Sequence, residues 1–177
     1  TNDSNSDKDA HATINGGSTI GLKIERGSEI QGNLTLISGH ANTITDEGSS
    51  GVVTVDGNLT ATTNANNGSI TLNDIAVDGT IGLNTHGTGN ATVVNDAGLQ
   101  FASSTVGGNL HATSTTGNMT QSGALDIEGT TTLITSANDA TITLGTTSNA
   151  FTGALLITTN DSGSDTAGDV SIHGGTT

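Results

Sequence analysis

Val55-Asp56-Gly57-Asn58-Leu59-Thr60-Ala61, echoed further along by Val77-Asp78-Gly79-Thr80-Ile81-Gly82-Leu83, is the stretch on which the fold reading turns. Both heptads read apolar, x, Gly, x, apolar, x, apolar. The same phrase occurs upstream as Ile30-Gln-Gly-Asn-Leu34-Thr-Leu36. Downstream it returns as Val106-Gly-Gly-Asn-Leu110-His-Ala112, Ile127-Glu-Gly-Thr-Thr131-Thr-Leu133 and, more loosely, Phe151-Thr-Gly-Ala-Leu155-Leu-Ile157. Its glycines stand at 32, 57, 79, 108, 129 and 153, with spacings of 25, 22, 29, 21 and 24. Between the phrases lies a second set of alternating stretches around Ile44, Ile70-Thr-Leu72, Val93, Met119, Ile142-Thr-Leu144 and Val170-Ser-Ile172.

Alternation over short runs is the signature of strands, because successive side chains point to opposite faces. No window shows a helical period, and Gly, Thr, Ser and Asn are poor helix formers. Gly in each phrase suits a corner where two strands meet, and the Asn after it can bond backbone groups in the bend. A self-similar unit recurring at these spacings, with two or three short strands in it, has the period of a coil in a parallel β-helix. Composition agrees. Leu, Ile, Val and Phe supply 37 of 177 residues, and Phe101 and Phe151 are the only aromatics. A wide core would need more large side chains, whereas a core one side chain wide does not. The expected fold is therefore all-β, a β-solenoid of about six or seven coils. At ~4.8 Å per coil the rod would be roughly 30 Å tall. A polar segment over 1–13 precedes the solenoid at 14–177. Val55, Leu59, Ile70, Leu72, Leu110, Ile127, Leu133, Ile142 and Leu144 are expected to face inward.

The segment from Gly108 to Ile157, GNLHATSTTGNMTQSGALDIEGTTTLITSANDATITLGTTSNAFTGALLI, resembles the repeats of filamentous-haemagglutinin-type exoproteins and giant β-strand-repeat bacterial adhesins. The resemblance extends over most of Ile30–Ile172. It implies a right-handed parallel β-helix, export to the bacterial cell surface or the extracellular medium, and a role in adhesion. Surface glycans or host receptors follow as partners. It carries over no binding residue.

Charge narrows the partners. The formal net charge is −14, and the basic residues are Lys8, Lys23 and Arg26 alone. Nucleic acid binding needs clustered Lys or Arg against phosphates, and an anionic membrane surface needs the same. No apolar run reaches the ~20 residues of a membrane-spanning helix. Neither nucleic acid nor membrane insertion is expected.

Catalysis on acidic polysaccharide would need a carboxylate cluster, cations to hold uronate, and aromatics to hold rings. The carboxylates Asp46, Asp56, Asp74, Asp78, Asp96, Asp126 and Asp139 are instead spread along the chain. The chain is read as non-catalytic, with no required cofactor. His11, His40, His86, His111 and His173 lack zinc-like spacing and read as surface residues in turns. Calcium has more support. Asp3, Asn5, Asp7 and Asp9 offer oxygen at alternate positions, and Asp161, Asp165 and Asp169 form a second oxygen-rich turn. Neither has the complete pattern of an EF-hand loop. An ice-binding face would need Thr in a regular lattice, against which the uneven spacing argues. Neither end reads as a cap, so the expectation is end-to-end self-association or continuation in a longer rod. The leading functional expectation is a stalk or filament element; a calcium- or glycan-binding solenoid is the alternative.

Overall fold

The computed structural model describes residues 10–16, 21–39, 43–48, 50–146, 148–161 and 168–174. Among these the regular structure is all β, without helix, and the paired strands run parallel. A first face stacks eight strands: Ala12–Gly16, Leu34–Ser38, Leu59–Asn66, Thr80–His86, Leu99–Phe101, Met119–Gln121, Ile142–Leu144 and Val170–Ile172. A second face stacks seven: Leu22–Glu25, Ile44–Glu47, Ile70–Val77, Ala91–Asn95, Leu110–Ser114, Thr131–Asn138 and Leu155–Asn160. The chain visits each face once per coil. Seven steps separate the eight strands and six separate the seven, which gives the six or seven coils expected. Coil length is uneven: partners such as Leu34↔Leu59, Leu99↔Met119 and Ile142↔Val170 stand at different distances along the sequence. In parallel crossovers the strand twist favours a right-handed coil.

Inward and outward positions alternate as the pattern dictates. In Leu59-Thr60-Ala61-Thr62-Thr63 the first, third and fifth side chains are buried and the other two half-buried. All nine residues expected to face inward are at most 1% exposed. They join one continuous apolar column whose largest fully buried side chain is Phe101. No single coil could bury this column alone, so its stability comes from stacking.

Short third strands complete the cross-section, and their placement changes along the rod. In the N-terminal half the second face is broken. Ile44–Glu47 and Val53–Val55 both pair with the single strand Ile70–Val77. In the C-terminal half the first face is broken. Leu99–Phe101 and Ser104–Val106 both pair with the single strand Thr80–His86. Between Leu59 and His86 both faces run unbroken.

This corrects one reading of the repeat. The glycine phrase always marks the corner before the unbroken strand, but that strand changes face. Gly57 and Gly79 donate to the carbonyls of Gly32 and Gly57, forming one stack at the entry to the first face. Gly108 lies close to Gly89 rather than Gly79, and Gly129 donates to the Gly108 carbonyl, forming a second stack at the entry to the second face. The wide spacing between Gly79 and Gly108 is thus not a coil length; it records the transfer of the corner from one face to the other. The corner asparagines behave as expected. The Oδ1 atoms of Asn33, Asn58, Asn90 and Asn109 each accept a backbone N–H of the following coil at 2.8 Å.

Where strands of neighbouring coils are interrupted or differ in length, backbone groups lose their ladder partners, and a buried orphan is costly. Polar side chains fill these gaps. Asn95, fully buried, accepts from Val77 N at 2.8 Å and donates to Val77 O at 3.1 Å and Gly98 O at 2.7 Å. Ser104 Oγ accepts from Leu83 N at 3.1 Å. Asn149 Oδ1 accepts from Leu125 N at 2.9 Å, while its amide donates to His173 O at 2.8 Å.

Thr131 departs from this economy. It takes the inward place that Leu110 holds one coil earlier, is fully buried, and its hydroxyl has no hydrogen-bond partner. Thr131→Val removes that buried hydroxyl at nearly constant shape. It is expected to raise unfolding stability by about 1 kcal/mol in chemical denaturation.

Candidate functional site

The one place among the described residues where charged side chains converge with burial is at the N-terminal end of the second face. Asp46 alternates inward from Ile44, and its side chain is fully buried. Its partners in register are Ile24 in the coil before and, beyond the paired Thr45↔Thr71, a gap in the ladder at Asn73 and Asp74. Asp46 fills that gap. Oδ1 accepts from Asn73 N at 2.8 Å and Oδ2 from Asp74 N at 2.6 Å. Arg26, one coil down, places Nε 3.5 Å from Asp46 Oδ2 and Nη2 against the Asp74 carboxylate. The Nε contact is ionic only, since that buried N–H makes no hydrogen bond. One guanidinium and two carboxylates therefore tie three successive coils together.

Both Asp46 oxygens receive backbone N–H groups and Arg26 faces two anions, while the Asp74 side chain is 40% exposed. The cluster joins the coils it spans. Asp46→Ala would orphan two backbone amides and leave Arg26 with one partner. It is expected to cost about 3 kcal/mol, with Asp46→Asn costing less, as read by urea denaturation. An unchanged midpoint would mean that water satisfies both amides.

Beside it, Lys23 Nζ donates to Glu47 Oε2 at 2.6 Å. That hydrogen bond, aided by the ammonium charge, holds the Glu47 carboxyl below its usual value. A lowered carboxyl pKa adds stability above its unfolded value and loses it as pH falls through the folded one. The pair is solvent-exposed, so salt screens it.

Of the residues read as calcium ligands, Asp3, Asn5, Asp7, Asp9 and Asp165 lie outside the described residues. Asp161 and Asp169 are exposed, on either side of residues 162–167, which lie outside the described residues. Among the described residues no group of three or more His, Cys, Asp or Glu side chains is placed to hold a metal ion. Asp56, Asp78, Asp96 and Asp126 are exposed. His40 is also outside the described residues. His11 Nδ1 accepts Asn33 N–H at 2.9 Å, taking in the first coil the place that corner asparagines hold later. His111 lies in a strand rather than a turn, pointing outward at a half-buried position. Among the described residues no helix is long and apolar enough to cross a membrane.

The Arg26–Asp46–Asp74 cluster escapes a reading by sequence spacing, because its members come from three different coils. One signal was available: Asp46 occupies an inward position, where a charge demands partners.

A family model described as repeats of unknown function (DUF5649) matches residues 88–158. That segment covers less than half of the chain and begins where the glycine corner has moved to the second face. No curated protein and no solved structure matches the chain.

Proposed function

We propose that this chain is a structural element, stalk or filament, of a secreted bacterial fibre or adhesin, working at the cell surface without catalysis. One observation carries the reading: coil pairs with coil along the whole described length, so the polypeptide is organised as a rod with an axis and two ends. The charged cluster at Arg26 is spent on holding coils together. The phrases shared with exported adhesin repeats supply the cellular setting, and the match to a repeat family agrees with a unit that recurs. The acidic surface suits a fibre that must not adhere to itself laterally, since like charges repel. Surface glycans or host receptors are the partners this role implies.

Antibodies raised against the isolated chain provide the test on intact source cells. Immunogold label on the outer surface or on shed fibres is the expected result. Antigen confined to the cell interior, in cells that make the protein in full, would overturn the proposal.

A further inference from the structure

We infer that the C-terminal end of the described rod is a docking surface for one further solenoid coil, and that this coil must present its glycine corner at Gly153. The inference rests on coil geometry and stands apart from the proposed role. Leu155–Asn160 ends the second face and Val170–Ile172 ends the first, so among the described residues each has one unpaired edge. Leu155 and Ile157 continue the inward column of Thr131 and Leu133, both 0% exposed, yet they stand at 39% and 37% exposure. Leu156 and Val170 reach 51% and 44%. At the other end Ile14 is the one large hydrophobic side chain in this condition among the described residues. What covers Leu110 and Leu133 is the coil above them. A parallel coil is therefore the occupant that removes both the apolar exposure and the open edge.

The kind of coil follows from the corner. Gly153 packs on the backbone of Gly129, Gly129 on Gly108, and Gly108 on Gly89, each too close for a Cβ. A coil laid on Gly153 with the same pairing must bring a glycine there and follow it with an unbroken strand over Leu155–Asn160. A coil whose second face is broken would leave backbone groups orphaned above that strand. Among the described residues such gaps are filled by dedicated side chains, Asp46 against Ile70–Val77 and Ser104 against Thr80–His86. The first coil here is of that mismatched kind, with Ala12–Gly16 leading and Leu22–Glu25 and Glu29–Ile30 broken on the second face. A second copy stacked head to tail is accordingly not the occupant. The repeat-family match, which lies within the C-terminal phase, fits a coil type that repeats by itself.

Two extensions of the full chain, equal in length and joined after Thr177, test this. One repeats Asp126–Leu144, which presents the corner phrase first. The other repeats Ile44–Thr62, which presents the broken pair first. Hydrogen exchange at Leu155–Asn160 is the readout, with exchange at Leu59–Asn66 as the internal reference for folding. The first extension is expected to slow exchange in Leu155–Asn160 at least tenfold and to raise Tm, and the second to leave both as in the parent. Equal protection by both, or by neither, overturns the inference. So does protection of Leu155–Asn160 in the parent chain through head-to-tail filaments formed at high concentration.

Discussion

Leu110→Asp is expected to abolish the cooperative thermal transition of this chain at neutral pH. Leu110 is 1% exposed and stacks between Ala91 and Thr131 in the apolar column. Among the described residues a carboxylate there has no Lys or Arg within reach, because Lys23 and Arg26 lie in the first coil. An unpaired buried charge costs several kcal/mol, against a total stability of about 5–15 kcal/mol for an ordinary domain. Burial raises the pKa of such a carboxyl, so the defect should shrink as the pH is lowered and the group accepts a proton. Circular dichroism melts at neutral and at mildly acid pH report both effects. Thr113→Asp, at an outward half-buried position of the same strand, is the control and should melt close to the parent. If Thr113→Asp collapses the fold while Leu110→Asp is silent, the inward column has been assigned to the wrong side of the strand.

The second large effect concerns the corner. A Cβ added at Gly129 would sit 2.5 Å from Asn109 Oδ1 and 2.6 Å from both the carbonyl carbon and oxygen of Gly108. Two of those atoms are backbone, so relief requires the coils to part at the corner. Parting breaks Gly129 N–H to Gly108 O at 3.0 Å and Thr130 N–H to Asn109 Oδ1 at 2.8 Å. Gly129→Ala is expected to cost about 3 kcal/mol, the upper end for overpacking a tight site. Gly145→Ala, where the nearest atom to a new Cβ is 3.9 Å away, should change stability little. Urea denaturation of the two variants compares them directly, and equal midpoints would show that the corners are not in close contact.

Much of the coil was readable because one phrase combines three constraints at fixed positions: an apolar strand end, a glycine that nothing larger replaces, and a strand start. That is why Val55, Leu59, Leu110 and Ile127 fall inward as expected. The phrase announces a corner, however, and carries no label for which corner. Gly79 and Gly108 look alike in sequence and sit at entries to different faces, with only the wide gap between them as a trace. The gap-filling residues were harder still. Asn95 and Asn149 resemble the many turn asparagines until the short or broken strands beside them are located. Arg26, Asp46 and Asp74 meet through stacking across three coils, a relation with no fixed sequence spacing when coil length varies.

Stacking also decides how such a rod would yield to force. The bonds between coils point along the axis, so a pull at the two ends loads the terminal coil first and the interior ones in turn. Release of one coil frees a thread of roughly 70 to 90 Å, at ~3.4 Å for each residue drawn straight, while the rod shortens by only ~4.8 Å. Extension would therefore proceed in long, repeated steps at modest tension. The Arg26 tie, which binds three coils, would be a latch near one end of that sequence.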